Sequence, residues 1–290
     1  MSTPEGAGPG EGASTGQSEW TCYRHPSRSS GVRCTRCERP ICPDCMITAP
    51  VGFQCPECVK GEPQVRTLRS LVSPPRLTQA IIAVNVAVAV LALVTGAADG
   101  AQPSLFGGGN ALARDYALTG SAVAAGEWWR LVTSGFLHYG LLHLGFNMFI
   151  LLQLGTLLEP ALGRVRLAAL YVAALLGGSL GVIVLQPDGL SAGASGAVFG
   201  LMGAAVIGMR SRGADPMASG LPMLLGINLL LTFALPGISI GAHLGGLAVG
   251  AAAGAVLFAT DRKGGAQQAA GLAVVVAMAV ASFVAAILLA

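Results

Sequence analysis

Residues 240–260 read IGAHLGGLAVGAAAGAVLFAT, an unbroken apolar stretch in which His243 is the only ionisable side chain. Its length matches the roughly 20 residues that a helix needs to cross a bilayer core. Its glycines recur every fourth residue, at Gly246, Gly250 and Gly254, a small-residue stripe that lets one membrane helix lie close against another. One histidine in such a stretch is costly unless it faces a polar partner or a water-filled cavity. The stretch therefore predicts a membrane span packed against a neighbour, with a reason for carrying an imidazole.

Working outward, apolar stretches of similar length recur at approximately 77–95, 137–158, 166–186, 191–210, 217–236 and 269–290. The composition agrees. Of 290 residues, 53% are hydrophobic and only 11% charged, against about 25% charged in a soluble globular chain. With 41 glycines but no collagen period, the chain is read as neither disordered, nor fibrous, nor a cytosolic enzyme. The fold class expected is an all-α polytopic membrane protein preceded by a small cytoplasmic zinc-binding domain.

The expected organisation is a disordered tail over 1–19, a zinc-binding domain over 20–60, and a polar linker over 61–76. A helical core over 77–260 follows, and then a linker with a seventh span over 261–290. The first nineteen residues carry no basic or apolar run, so they are not read as a signal peptide. Between the first two spans, residues 96–136 hold Trp128, Trp129, Arg130 and the turn Gly107-Gly108-Gly109, and read as a structured interfacial loop. With the N-terminus inside, Lys60, Arg66, Arg69, Arg76, Arg164, Arg166, Arg210, Arg212, Arg262 and Lys263 all fall on one side, and only Arg114 and Arg130 on the other. That asymmetry predicts a cytoplasmic N-terminus and an outer C-terminus. Lys60 and Lys263 are the only lysines, a bias that, with abundant Ala, Gly and Val, points to a high-GC bacterial genome and so to a bacterial plasma membrane. The net charge of +3 is too small to imply a nucleic-acid partner.

All seven cysteines lie in residues 20–60, as Cys22-x-x-His25, Cys34-x-x-Cys37, Cys42-x-x-Cys45 and Cys55-x-x-Cys58. Two such pairs complete one tetrahedral zinc site, so eight ligands make two closed structural sites with no open position for catalysis. Only four residues separate Cys37 from Cys42, a short return for one shared ion. The preferred pairing is therefore a cross-brace: Cys22, His25, Cys42 and Cys45 on one ion, Cys34, Cys37, Cys55 and Cys58 on the other. Sequential pairing stays open. The module resembles B-box or RING-type double-zinc domains, and a protein partner for it is left open. In a reducing compartment these thiols are not expected to form disulfides.

The remaining histidines, His138, His143 and His243, lie in or beside apolar stretches. Even-numbered spans share a direction, so residues near their starts lie at one depth. That places His143 and Asn147 of the second span, Ser195 of the fourth and His243 of the sixth within reach of each other. A serine hydroxyl is a weak nucleophile until a base takes its proton, which His243 can do. His143 and Asn147, four apart, project from one helix face and could bind an oxyanion beside the Ser195 N–H. No acidic residue lies at that depth, so a hydrolase here would be a dyad, needing no metal for catalysis.

Glu127-Trp128-Trp129-Arg130, His138, His143-x-x-x-Asn147, Gly193-Ala194-Ser195-Gly196 and Ala242-His243-x-x-Gly246-x-x-x-Gly250 together resemble the rhomboid intramembrane serine proteases. The resemblance covers residues 77–260 and implies a six-helix core, a cavity opening outward and peptide-bond hydrolysis in the membrane. It implies Ser195 as nucleophile, His243 as base, His143 and Asn147 as oxyanion-hole partners, and single-span membrane proteins in the lipid bilayer as substrates. Where many members carry Tyr four residues after the serine, this chain has Phe199, which keeps the stacking surface and loses a hydroxyl. The alternative is a catalytically idle rhomboid-like protein that binds transmembrane clients, with the zinc domain as adaptor; the intact Ser195 and His243 stand against it. A transporter is disfavoured because its spans commonly carry acidic residues at mid-depth.

Overall fold

A computed structural model describes residues 20–49, 51–60, 74–98, 111–261 and 265–290. The expected tail, most of the linker with Arg66 and Arg69, the Gly107–Gly109 turn, and Arg262 and Lys263 lie outside the described residues. The chain divides into two compact units, residues 1–71 and 72–290.

The first unit is built from three two-residue antiparallel pairs. They are β1 (Trp20–Thr21) with β2 (Ser29–Ser30), β3 (Val32–Arg33) with β4 (Pro40–Ile41), and β5 (Ile47–Thr48) with β6 (Phe53–Gln54). A five-residue helix, α1 (Pro56–Lys60), follows. Among the described residues, its buried hydrophobic set is five cysteines and Ile41. So little aliphatic surface cannot hold about forty residues against their chain entropy without a further staple.

The second unit is helical. It comprises α2 (Arg76–Ala98), the short α3 (Ala111–Tyr116), α4 (Gly120–Ala124) and α5 (Arg130–Thr133), then α6 (Leu141–Leu162), α7 (Arg164–Leu185), α8 (Ser195–Ser211), α9 (Leu221–Ala234), α10 (Ile240–Asp261) and α11 (Gly265–Leu289). Each of the seven apolar stretches corresponds to one long helix, and α2, α6, α7, α10 and α11 are long and apolar enough to cross a membrane.

Three expected boundaries move. The second span opens at Leu141, after Gly140 at φ 136°, so His138 sits in the preceding turn. The fourth opens at Ser195 and spans 17 residues, about 25 Å at 1.5 Å per residue. The fifth shrinks to 14 residues, because a separate 3-10 turn over Met217–Ser219 ends at Gly220, φ +71°, before the helix begins, and Pro236 drives Leu235 out of the helical region, to φ −106°, ψ 127°.

Central to the unit is α7, whose Leu170, Ala173 and Ala174 are fully buried. Helix α10 packs against α8 through its glycine stripe and against α7 through Gly241 and Gly245. A Cβ on Gly246 would overlap the Gly196 carbonyl, and one on Gly250 would overlap the Gly200 backbone. Bare backbone on both sides is what allows α8 and α10 to touch.

At the far end of the same bundle, Arg166 pairs with Asp261 at 2.6 Å and Arg212 with Asp261 at 3.3 Å. Glu159 of α6 receives the Leu77 N–H at 3.0 Å, the Thr78 N–H at 2.9 Å and the Thr78 hydroxyl at 2.8 Å. A carboxylate from one helix thus caps the N-terminus of another, where the helix dipole favours negative charge. Glu159→Ala should orphan these buried donors and cost about 2–3 kcal/mol, lowering the thermal midpoint by roughly 5–10 °C. Thermal unfolding in detergent measures it, and an unchanged midpoint would show that the cap contributes nothing.

Candidate active site and candidate metal centres

The segment leading into α8 is non-helical backbone, which a membrane protein tolerates only where it is enclosed by protein or lines a cavity. Here it is enclosed. Leu118 and Ser191 exchange both backbone hydrogen bonds at 2.9 Å, and the Gly193 N–H reaches the Ser134 carbonyl at 2.9 Å. Those partners are held in turn by Arg130, buried to 8% exposure, which donates to the Arg114 and Ala117 carbonyls at 2.8 Å each and pairs with Glu127. Trp128 and Trp129 beside it remain exposed. The first loop is therefore the brace that fixes the approach to Ser195.

Ser195 is the first residue of α8. His243 lies one turn into α10, whose start is fixed by Gln186: its Oε1 accepts the Gly241 N–H at 3.0 Å and the Ser239 hydroxyl at 3.1 Å. Because the glycine stripe removes intervening bulk, the His243 Nε2 and Ser195 Oγ stand 2.9 Å apart. Phe199, one turn below Ser195, stacks on the imidazole with centroids 4.1 Å apart and planes 18° from parallel. The ring's other nitrogen, Nδ1, lies 2.6 Å from the hydroxyl of Thr232 on α9. The sequence reading missed Thr232; the available signal was a lone hydroxyl in the apolar run Leu229–Phe233, which in lipid must find a partner.

His143 is the third member of the cluster. Gly193, at φ +133°, passes so close to it that a Cβ there would stand 2.7 Å from the His143 Cε1 and 3.7 Å from the Ser195 Oγ. Only glycine fits both that dihedral and that gap. Asn147 is buried one turn further on, with its amide donating to the His143 carbonyl at 2.9 Å. Its amide is thus engaged within its own helix. His138 packs edge-on to His143 with centroids 5.0 Å apart, and its Nε2 lies 3.5 Å from the Ala194 N–H. The first N–H groups of α8 have no acceptor within the helix and carry its positive end. The Ser195 hydroxyl, the His243 and His143 imidazoles and the first N–H groups of α8 are thus neighbours.

In the first unit the ligand atoms gather into two groups, Cys22, His25, Cys42 and Cys45, and Cys34, Cys37, Cys55 and Cys58, each within 4.8 Å. First and third pairs share one group, second and fourth the other. The His25 Nδ1 is 3.4 Å from both Cys42 Sγ and Cys45 Sγ, and Cys37 Sγ is 3.8 Å from Cys55 Sγ. Tetrahedral bonds of about 2.3 Å to sulfur and 2.0 Å to nitrogen give edges of about 3.8 Å between sulfurs and about 3.5 Å from nitrogen to sulfur. Both groups fit a metal ion. The Arg39 guanidinium, 3.2 Å from Cys37 Sγ, holds that thiol below its ordinary range. All seven cysteines are unpaired by disulfides.

Fold and site together define a multi-pass α-helical membrane protein with a serine and a histidine in contact inside its helical core. Residues 125–260 match the Rhomboid domain family, so the helical unit carries a Rhomboid domain. It is 39% identical over 140 residues to "Rhomboid protease GluP" of Bacillus subtilis, covering 47% of this chain and 27% of that one. It is 37% identical over 155 residues to "RHOMBOID-like protein 5" of Arabidopsis thaliana, covering 51% and 50%. It is 36% identical over 132 residues to "Putative rhomboid protease YdcA" of Bacillus subtilis, covering 44% and 66%. The chain thus spans less than two thirds of the length of each of these relatives.

Proposed function

We propose that this protein is an intramembrane serine endopeptidase that hydrolyses peptide bonds of single-span membrane proteins with Ser195 and His243. The observation that carries the reading is the 2.9 Å contact between Ser195 Oγ and His243 Nε2. The Ser195 Oγ attacks the substrate carbonyl carbon while its proton passes to Nε2. The carbonyl π electrons move to oxygen, where the His143 imidazole and the N–H groups opening α8 stabilise the charge. Asn147 belongs to this oxyanion set through the second N–H of its amide, the first being given to the His143 carbonyl. The intermediate collapses as the C–N bond breaks and Nε2 returns its proton to the leaving amine. Water then attacks the acyl ester, His243 takes the water's proton, and the C–O bond to Ser195 breaks as that proton returns to the serine oxygen. The pair is a general acid–base and nucleophile in one contact.

Ser134, Gly135, Leu175, Val182, Gly193 and Gly196 are among the residues lining a cavity at the start of α8, the space open to a substrate side chain next to the cleaved bond. The orientation proposed is N-terminus inside and C-terminus outside, in a bacterial plasma membrane. Consistent with it, Arg166, Arg212 and Asp261 meet at the end of the bundle away from Ser195. The two cysteine groups are proposed to hold two structural zinc ions. Zinc would supply cross-links that fold the module, with Cys22, His25, Cys42 and Cys45 on one ion and Cys34, Cys37, Cys55 and Cys58 on the other.

A fluorophosphonate probe tests the serine directly, since it reacts only with an activated hydroxyl. The native chain should label at Ser195, and His243→Ala should lower the labelling rate by about 10²-fold or more. Equal labelling of both chains would remove His243 as the base, and no labelling of the native chain would remove the protease reading.

A further inference from the structure

Thr232 of α9 is buried to 1% exposure. Its hydroxyl makes two short contacts, 2.7 Å to the carbonyl oxygen of Asn228 and 2.6 Å to the His243 Nδ1. A hydroxyl has one proton and two lone pairs, whereas a carbonyl oxygen only accepts. The Thr232 proton therefore goes to Asn228, and what the Thr232 oxygen offers Nδ1 is a lone pair. Nδ1 must then carry the ring's N–H. A neutral imidazole has only one N–H, so Nε2 is left as a bare acceptor facing the Ser195 hydroxyl. The opposite arrangement, with Thr232 donating to Nδ1, leaves two oxygens 2.7 Å apart with no proton between them. It also puts the N–H on Nε2, where it could not take the serine proton.

We propose that Thr232 is a positioning residue that holds His243 in the Nδ1–H tautomer, completing the serine–imidazole pair as a relay of Asn228, Thr232, His243 and Ser195. The inference rests on the protease reading above. Phe199 and Thr232 divide the work between them. Stacking at 4.1 Å fixes the plane of the imidazole but is equally satisfied by the ring flipped 180° about Cβ–Cγ, which exchanges its nitrogen and carbon positions, and the Thr232 contact selects one of the two. When Nε2 takes the serine proton, the Nδ1–H of the resulting imidazolium still finds an acceptor in Thr232, a stronger hydrogen bond than the neutral ring makes. In hydrolases with a carboxylate at this position the same two tasks are performed by a negative charge; here a neutral hydroxyl performs them, in a region without acidic side chains.

The test uses the full chain in liposomes with a single-span substrate. Thr232→Val keeps the side-chain shape and deletes the acceptor; Thr232→Ser keeps the acceptor. Thr232→Val should lower kcat roughly 10- to 100-fold, the size expected for orphaning a buried donor, and leave KM within about twofold. Thr232→Ser should stay within about threefold of the native kcat. Imidazole nitrogen resonances of His243 give a readout that needs no turnover: the native chain and Thr232→Ser should carry the proton on Nδ1, and Thr232→Val should lose that preference. Native kcat in Thr232→Val, or a proton on Nε2 in the native chain, overturns the assignment. If the native chain cleaves nothing, the protease reading fails while the nitrogen spectrum still decides the tautomer, and the same spectrum decides should Thr232→Val not fold.

Discussion

Ser195→Ala should lower cleavage of a single-span substrate in liposomes by about 10⁴-fold or more, the scale on which removing a nucleophile acts, while leaving the thermal midpoint nearly unchanged. The fold-neutral half follows from position. Ser195 is half-buried at the first residue of α8, where alanine keeps the helix, and the oxygen lost has a hydrogen bond only to His243 among the described contacts. The packing of α8 on α10 comes from Gly196, Gly200, Gly246 and Gly250, none of which the substitution touches. The activity half follows from chemistry, since among the described residues no other hydroxyl contacts Nε2. Because nucleophile and base act as one unit, Ser195→Ala combined with His243→Ala should lose little more than either alone. Undiminished cleavage by Ser195→Ala would remove Ser195 as the nucleophile, whereas no cleavage by either chain with equal substrate binding by both would return the chain to the client-binding alternative.

Much of this site was legible because two simple constraints act together. Direction alternates along a membrane chain, so residues near the starts of even-numbered spans share a depth, and that alone places His143, Ser195 and His243 in one layer. The glycine stripe then removes the bulk between α8 and α10, turning a shared layer into a 2.9 Å contact. What stayed hidden depends on bonds between elements distant in sequence. Apolarity continues past Leu235 and before Ser195, so hydropathy extends the fourth and fifth spans to full length. Gly220, Pro236 and the loop tied by Leu118–Ser191 cut them back. Thr232 was invisible as a partner because α9 reaches His243 through a turn whose geometry no periodicity encodes. Asn147 shares a helix face with His143 as its spacing implies, yet its amide turns back to the His143 carbonyl, an option open to any helical asparagine toward the carbonyl four residues before it.

Purified without chelators, the protein should carry two zinc ions per chain by elemental analysis, and stripping them should unfold residues 20–60 while the helical unit stays intact. The module's buried hydrophobic set is five cysteines and Ile41, and its longest strands are two residues, so packing and backbone pairing leave it far short of independent stability. A structural zinc site contributes roughly 10–16 kcal/mol of apparent binding energy, more than the whole stability of an ordinary domain. The helical unit draws on a separate apolar core around α7 and α10 and should keep its thermal midpoint. Because the first and third ligand pairs gather in one group and the second and fourth in the other, Cys34→Ser together with Cys37→Ser should remove one ion and spare the other. Under sequential pairing the same double substitution would strip the ion shared with Cys22 and His25, so the ion that survives distinguishes the two arrangements. Cobalt substitution reads this out, since an ion left on Cys22, His25, Cys42 and Cys45 has three sulfurs and one nitrogen around it. One ion in the native chain, or an intact module after chelation, would show that the eight side chains do not act as two closed sites.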